Sequence, residues 1–510
     1  MGRNPSHLSP IVPPEPRAFV GRAPRAARLL ACLGLAGFAL TRVILHGGLP
    51  PFFEGDSYKY LGGADSLRAG LGLPPLFRDL PVTGGVLHAV PGYAWFLRMV
   101  WALAGGICLA AVPWANAAVA LAGYLAAADL MRRLDGALPG ALLLVLLAWS
   151  PPLAWLEHLL MPDVLAAPIF FLAAWIVVVA LPRSERSRTA FGLGAVCGAL
   201  AALLLMLRVG NQTLLLPLPL LAFVRCPRAR ALACWAAGCV VAATVGLAPW
   251  LAFNHSVHGV ARLSASQGRH LRFSQLWTDA EERRRVAAEQ GTPAQASADD
   301  AYVLMDRDLQ SLVTGGLSVV QADAELGRRA RERYRDEPWS AILAQRMLLL
   351  RQFFVEEDAT ALRVQSPATK SAEILANADA SRGWREWTVE RLGYPYSDEF
   401  VAAHEALGKG SDRARAFVAA WMRGMTLDGL PLLAAYAVGL VLLGTRGQDR
   451  AAAFLVFGAF PLLWIVVSAL VGLPRYRYQV ALHPFELATI VLAAGSLLRR
   501  LRGKSDVAAC

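Results

Sequence analysis

The chain has 510 residues, 56% of them hydrophobic and only 17% charged, with a formal net charge of +12. A soluble globular domain has about 25% charged residues, so this composition excludes a soluble protein. Repeated apolar runs of roughly 17–23 residues mark a polytopic helical membrane protein instead. Nor is the positive charge a nucleic-acid footprint. The long polar stretch from Asn254 to Met425 is balanced, with 23 Lys+Arg against 24 Asp+Glu, and the surplus sits in short stretches beside apolar runs, as the positive-inside rule describes.

Residues 1–27 form an Arg-rich tail ahead of the first apolar run, 28–46. That run ends in "LHGGLPPFF" without a small-residue cleavage site, so an uncleaved anchor is expected rather than a signal peptide. Further runs cover 88–108, 113–131, 137–155, 164–181, 191–207, 211–224, 230–252, 427–444, 451–472 and 479–498. Basic clusters stand at the N-terminus, at Arg132-Arg133, in "RSERSR" (183–188), in "RCPRAR" (225–230), at Arg446 and Arg450, and in "RRLRGK" (499–504). All of them fall on the cytoplasmic side only if run 88–108 does not span. That run holds Pro91, Gly92, Arg98 and Gly105-Gly106, and a charge at mid-bilayer costs about 2.5–3.5 kcal/mol on insertion scales. An interfacial helix on the outer side is therefore expected at "PGYAWFLRMVWALAGG"; the alternative is a true span with its Arg on a protein face.

The expected fold class is an all-α polytopic membrane protein with about ten transmembrane helices, outer-face juxtamembrane helices and one large, mainly helical extracytoplasmic domain. Its divisions are a cytoplasmic basic tail (1–27), an N-terminal transmembrane catalytic module (28–252) with outer loops 47–112 and 156–163, an extracytoplasmic domain (253–425), C-terminal transmembrane helices (426–498) and a cytoplasmic tail (499–510). Within the outer domain "EPWSAILAQRMLLLRQFFVEE" (337–357) has helical periodicity and an apolar face suited either to the membrane surface or to the domain core. No strand is expected there. Seven cysteines occur, none in 254–425 and none as CxxC, which supports neither a disulfide framework nor a zinc knuckle. No GxxxxGK[ST] is present and no GxGxxG follows a strand, so no nucleotide cofactor is expected.

Asp56, in "PFFEGDSYKYLGGADSLRAG", and Asp163, in "WLEHLLMPD" (155–163), are the outer-face acids nearest the membrane outside charge runs. A carboxylate there suits a general base or an oxygen ligand for Mg or Mn. Each acid equally suits a helix N-cap. Arg475 and Arg477, alternating with Tyr476 and Tyr478 in "LPRYRYQ", and Arg208 at the outer end of its span, suit a phosphate; the plain reading is a snorkelling interfacial anchor. Glu157 and His158 share the short second loop with Asp163 and complete the candidate substrate-binding set, although a lone outer histidine also reads as a surface residue.

In order along the chain, "GDSYKYLGGADSLRAG…PGYAWFL", "SPPLAWLEHLLMPDVLAAPIFFLAAW", "GALAALLLMLRVGNQTLLLPLPLLAF", "LAPWLAFNHSVHGVARLSASQG" and "LPRYRYQVALHPFELA" resemble the outer loops and flanking helices of GT-C class glycosyltransferases, polytopic enzymes that use polyprenyl-phosphate sugars. The resemblance implies Asp56 as the first-loop catalytic acid and Asp163 as the second-loop acid. It places Arg475 and Arg208 near the lipid phosphate. Departures are plain: no adjacent Asp-Glu follows Gly55, no DxD stands in the second loop, and WWDxG and KPPL are missing. Metal dependence is left open by these departures.

The expected function is a glycosyltransferase of the cytoplasmic (inner) membrane with its active site on the extracytoplasmic face. It would move a sugar from a polyprenyl-phosphate donor to a hydroxyl of a glycan, lipid or protein, with inversion. A transporter or flippase for a lipid-linked or anionic solute, or a non-catalytic envelope scaffold, are the alternatives. The threading has a direct test. A cysteine replacing Arg132 is expected to resist impermeant thiol reagents in intact cells; labelling there overturns the topology.

Overall fold

A computed structural model describes residues 24–53, 57–72, 90–208, 211–226, 228–264, 267–290, 301–358, 361–364, 396–408, 410–425, 429–443, 448–459, 462–463 and 482–497. Five described helices are long and apolar enough to cross a membrane: Arg25–Gly48, Ala111–Asp135, Asp163–Arg183, Ser187–Leu207 and Ala229–Ser256. We label them α1, α4, α7, α8 and α11, where regular α-helix in α7 is Asp163–Trp175 and α11 extends to His258. The count reaches six if one bent pair is a single span, against the ten expected. The remaining expected runs form shorter pieces, among them α9 (Gln212–Leu215), α10 (Pro217–Arg225) and Leu482–Leu497, or extend beyond the described residues.

The bent pair is the expected run 137–155. Its hydropathy is continuous, but the backbone divides into α5 (Ala137–Trp149) and α6 (Pro151–His158), bent by 54°. The cause is local. Proline disfavours the helical region for the residue before it, and Ser150 is extended, its hydroxyl accepting from Leu153 N–H at 3.5 Å. Pro151 then occupies the first turn of α6, where no N–H is needed.

Contacts fix the direction of the helices. Gly140, early in α5, lies against Ala128 and Arg132, late in α4. Arg228, before α11, donates to the carbonyl of Pro182, at the end of α7. One end of the bundle therefore gathers Arg132, Arg133, Arg183 and Arg228, and the other gathers His46, His158, Asp163 and Arg208. α8 and α11 meet along a seam of small residues: a Cβ on Gly194 or Gly198 would collide with the carbonyl of Trp235 or Cys239, and one on Gly238 with that of Phe191. Such approach is the usual basis of packing inside a bilayer, where apolar burial gives no preference for protein over lipid. α11 has 30 residues and exposes Val240, Val241 and Val245.

Run 88–108 contains α3 (Gly92–Leu103), only 12 residues. At 1.5 Å per residue it reaches about 18 Å, short of the roughly 30 Å hydrocarbon core. Its exposed face carries Trp95, Met99 and Leu103 beside Arg98, as suits a helix at an interface. α2 (Ser57–Arg68) packs on α3 through an edge-on pair, Tyr60 with Tyr93.

The polar region after α11 is built from α12 (Gln267–Thr278), α13 (Ala280–Glu289), α14 (Ala301–Thr314), α15 (Val319–Asp336) and α16 (Trp339–Phe354). α12 crosses α15 where Gly268 touches the Asp323 backbone, and the Asp323 carboxylate accepts from the N–H groups of Gly268 and Arg269 at 3.2 and 2.9 Å. Arg272, nearly fully buried, bonds Glu282 at 2.7 Å, Gln275 at 2.8 Å and Asp308 at 2.9 and 3.0 Å. On α16 the polar side faces inward: Arg346 donates to Ser274 at 2.8 Å and lies over the Tyr334 ring, while Trp339, Leu343 and Met347 are exposed. This region also contains strands, contrary to expectation: β1 (Val355–Asp358) pairs antiparallel with β2 (Ala361–Val364), too short for alternation to register in the sequence. Two further helices, α17 (Asp398–Glu405) and α18 (Asp412–Met425), return to the bundle. Ser397 caps α17, and its N–H and hydroxyl both donate to Asp65 of α2 at 2.7 Å.

Burial pushes the Glu282 carboxyl up, but bonds from Arg285 and Arg272 outweigh it and hold the pKa at about 2. A depressed carboxylate stabilises the folded state above its unfolded pKa, and that contribution is lost as pH falls through the folded value. Protection of residues 267–290 and 301–336 against hydrogen exchange is expected to fall between pH of about 4.5 and about 2, and Glu282→Gln to flatten that dependence. An unchanged profile in the variant removes Glu282 as its source.

Candidate functional site

The segment after α1 and the segment between α6 and α7 are tied together by backbone. After α1 ends, Phe52 forms a parallel bridge with Leu159: Phe52 N–H donates to His158 C=O at 3.2 Å, and Leu160 N–H to Phe52 C=O at 3.0 Å. Phe52, Phe53, Leu159, Leu160 and Met161 are all buried. Pro162 follows, and α7 begins at Asp163.

The bridge sits on a buried polar network. Arg42 donates from Nε to Glu157 Oε2 and from Nη2 to Oε1, both at 2.7 Å. Its Nη1 reaches Thr41 Oγ1 at 3.0 Å and the Ala148 carbonyl. Tyr124 O–H donates to Glu157 Oε1 at 3.0 Å. Asn116 Nδ2 donates to the carbonyls of Glu157 and Leu159 at 3.1 and 3.3 Å, and lies 3.4 Å from the Tyr93 hydroxyl. Arg42 and Glu157 are about 1% exposed or less, and a charge in such a place is tolerable only when paired and hydrogen-bonded.

His158 is fully buried, so the surface reading does not hold for it. Its ring stacks on His46 with centroids 5.0 Å apart, and the two Nδ1 atoms are 2.8 Å apart. Its Nε2 lies 2.8 Å from the Pro50 carbonyl. A carbonyl can only accept, so the proton is on His158 Nε2, and a neutral His158 ring accepts at Nδ1. His46 then donates from Nδ1, which leaves its buried Nε2 as a bare acceptor with no partner among the described residues.

Asp163 and Arg208 pair at the same end of the bundle. Arg208 caps the C-terminus of α8 and donates from Nη1 to Asp163 Oδ1. The Asp163 side chain is 2% exposed and that of Arg208 24%. Asp163 does not cap α7, because Pro162 holds the cap position and Asp163 is the first helical residue; the second oxygen, Oδ2, is buried without a hydrogen-bond partner among the described residues. Gly92 of α3 packs directly on the backbone of Met206 and Leu207, where a Cβ would collide. This brings Tyr93 beside the pair. Burial raises the Tyr93 phenol well above its ordinary range; the Asn116 bond opposes, and the charges of Tyr60 and Asp163 add to the rise.

The structure thus brings Asp163 and Arg208 together, and places Glu157 and His158 behind them with their polar atoms committed to protein partners. Asp56, Arg475, Tyr476 and Arg477 lie outside the described residues. Arg42, His46, Tyr93, Asn116 and Tyr124 carry no role in the sequence reading. An arginine within an apolar run was the available signal for the first, since an intramembrane charge marks a paired or functional group. Among the described residues no three His, Cys, Asp or Glu side chains converge as metal ligands. Asp163 offers one oxygen, against the near-octahedral set that Mg takes.

No family model matches the chain, and no curated protein matches it. Among solved structures it is similar to ArnT from Cupriavidus metallidurans in the apo state, at 14% identity and TM-score 0.37 over 92% of this chain and 78% of that one. The same protein bound to undecaprenyl phosphate matches at 14% identity and TM-score 0.33, over 93% and 78%. The Archaeoglobus fulgidus oligosaccharyltransferase in the apo form matches at 12% identity and TM-score 0.45, over 94% of this chain but 51% of its own, so the chain spans about half its length. Both proteins are GT-C glycosyltransferases, the class whose motifs this sequence resembles. These are likenesses of outline and assign no residue a role.

Proposed function

We propose that the chain is a membrane glycosyltransferase that transfers one sugar from a polyprenyl-phosphate donor to a hydroxyl of an extracytoplasmic acceptor, with inversion. The supporting observation is the Asp163–Arg208 pair at the ends of two candidate spans, where a buried carboxylate keeps one oxygen without a hydrogen-bond partner among the described residues, beside a guanidinium that is 24% exposed. A lipid-borne phosphate and a water-borne hydroxyl can meet only at such a boundary, and nucleotide sugars are not available outside the cytoplasmic membrane.

In this reading the acceptor oxygen attacks the anomeric carbon in line. Its proton passes to the carboxylate of Asp56, the bond from the anomeric carbon to the donor phosphate oxygen breaks, and the lipid phosphate departs with the electron pair. Arg208, with Arg475 and Arg477 beside Tyr476, stabilises the charge that develops on the phosphate. Asp163 fixes the Arg208 guanidinium. General-base help from a positioned carboxylate contributes about 10²–10⁴-fold. The active site faces away from the cytoplasm, and the Ser397–Asp65 contact holds the end of the outer region against α2 beside it.

Mass spectrometry of surface lipids and glycans from a deletion strain tests this reading. One sugar increment is expected to disappear and to return with the wild-type chain. Asp56→Asn preserves any N-cap, because Asn caps about as well as Asp, yet removes the base; it and Asp163→Asn are each expected to leave the product at least about 10²-fold lower. Full restoration by Asp56→Asn ends the base assignment. No mass difference between deletion and parent strain overturns the function.

A further inference from the structure

We infer that Arg42, Glu157, His46 and His158 are positioning residues that hold residues 50–53 in register with the segment leading into Asp163. The inference rests on the glycosyltransferase reading, in which Asp163 and Arg208 form the site. Three polar atoms of the first outer segment are held by the second. Pro50 C=O accepts from His158 Nε2, Phe52 N–H donates to His158 C=O, and Phe52 C=O accepts from Leu160 N–H. Only Met161 and Pro162 separate Leu160 from Asp163, and Met161 is buried. A shift of His158 or Leu160 is therefore carried to Asp163 with little slack.

The second segment is itself fixed from beneath. Arg42 and Tyr124 hold the Glu157 side chain, and Asn116 holds the carbonyls on either side of His158. His46 adds the donor that sets the His158 ring, so that its Nε2–H can point only at Pro50. Stability alone does not call for this arrangement. A buried ion pair replaced by apolar residues of similar volume is often neutral or better. What such residues would lose is direction: a bidentate guanidinium–carboxylate contact fixes distance and orientation together.

The test uses the full chain in lipid nanodiscs for hydrogen exchange and undecaprenyl phosphate binding, and the complemented deletion strain for product. His158→Phe fills the ring volume without a donor, whereas His158→Gln restores an N–H near the Nε2 position. Arg42→Met with Glu157→Leu removes both charges together, so neither is left buried alone. In His158→Phe and in the double variant, exchange at the amides of Phe52 and Leu160 is expected to rise about tenfold, equivalent to about 1.4 kcal/mol of local opening. Product is expected to fall about tenfold or more, with undecaprenyl phosphate binding unchanged. His158→Gln is expected to stay near wild type in all three.

A merely structural role predicts loss of folding or binding together with product, and that pattern overturns the inference. It is also overturned if exchange at 50–53 and 158–163 is unaltered, if product persists in both folded variants, or if His158→Gln fails as His158→Phe does. A wild-type chain that restores no sugar overturns the glycosyltransferase reading instead, and the exchange data still decide whether the register lock exists.

Discussion

Two charges that water would hold apart are joined between α1 and α6 with almost no exposure, and the surrounding helices are arranged to make that tolerable. Arg42 spends its donors on Glu157, Thr41 and the Ala148 carbonyl; Glu157 takes Tyr124 as well. Three other helices are therefore drawn to one point on α1. Small residues let them approach: Gly37 lies under the Trp149 indole, and Gly123 of α4 lies against Pro168 of α7. The break at Ser150 belongs to the same arrangement. A straight helix from Ala137 onward would carry Glu157 along the α5 axis, whereas the 54° bend accompanies its placement against Arg42 and Tyr124.

What could be read from the sequence follows the range of each signal. Hydropathy located α1, α4, α7, α8 and α11 because each is a continuous apolar run. It missed the bend at Ser150 because prolines barely alter the apolar average while removing helical geometry at the residue before them. Acid and arginine placement singled out Asp163 and Arg208 separately, each as an exception beside its span. Their pairing across 45 residues, like that of Arg42 with Glu157 across 115, is a tertiary fact with no local trace. The burial of His158 has the same origin: its partners are His46, near the end of α1, and Pro50, just after that helix.

The helices from α12 onward are held together differently. α12 to α15 are joined by buried arginine–carboxylate clusters and by close backbone approach at Gly268, so a small apolar core around Phe273, Leu276 and Leu304 is supplemented by directed polar bonds. α16 then presents its polar side to this unit and leaves an apolar row outside. The sequence left two readings of that periodicity open, and the packing decides against the core for Trp339, Leu343 and Met347.

α11 spans 30 residues, about 45 Å along its axis, against a hydrocarbon layer of about 30 Å. Its apolar run, 230–252, is about 34 Å long, enough to span that layer with some lean, and the polar end at Asn254–His258 lies past it. Because α11 is glued to α8 along the glycine seam, it cannot lean alone; α8, with Arg208 at its tip, has to lean with it. A change in the lean of one helix is therefore carried to the Arg208 end of the other.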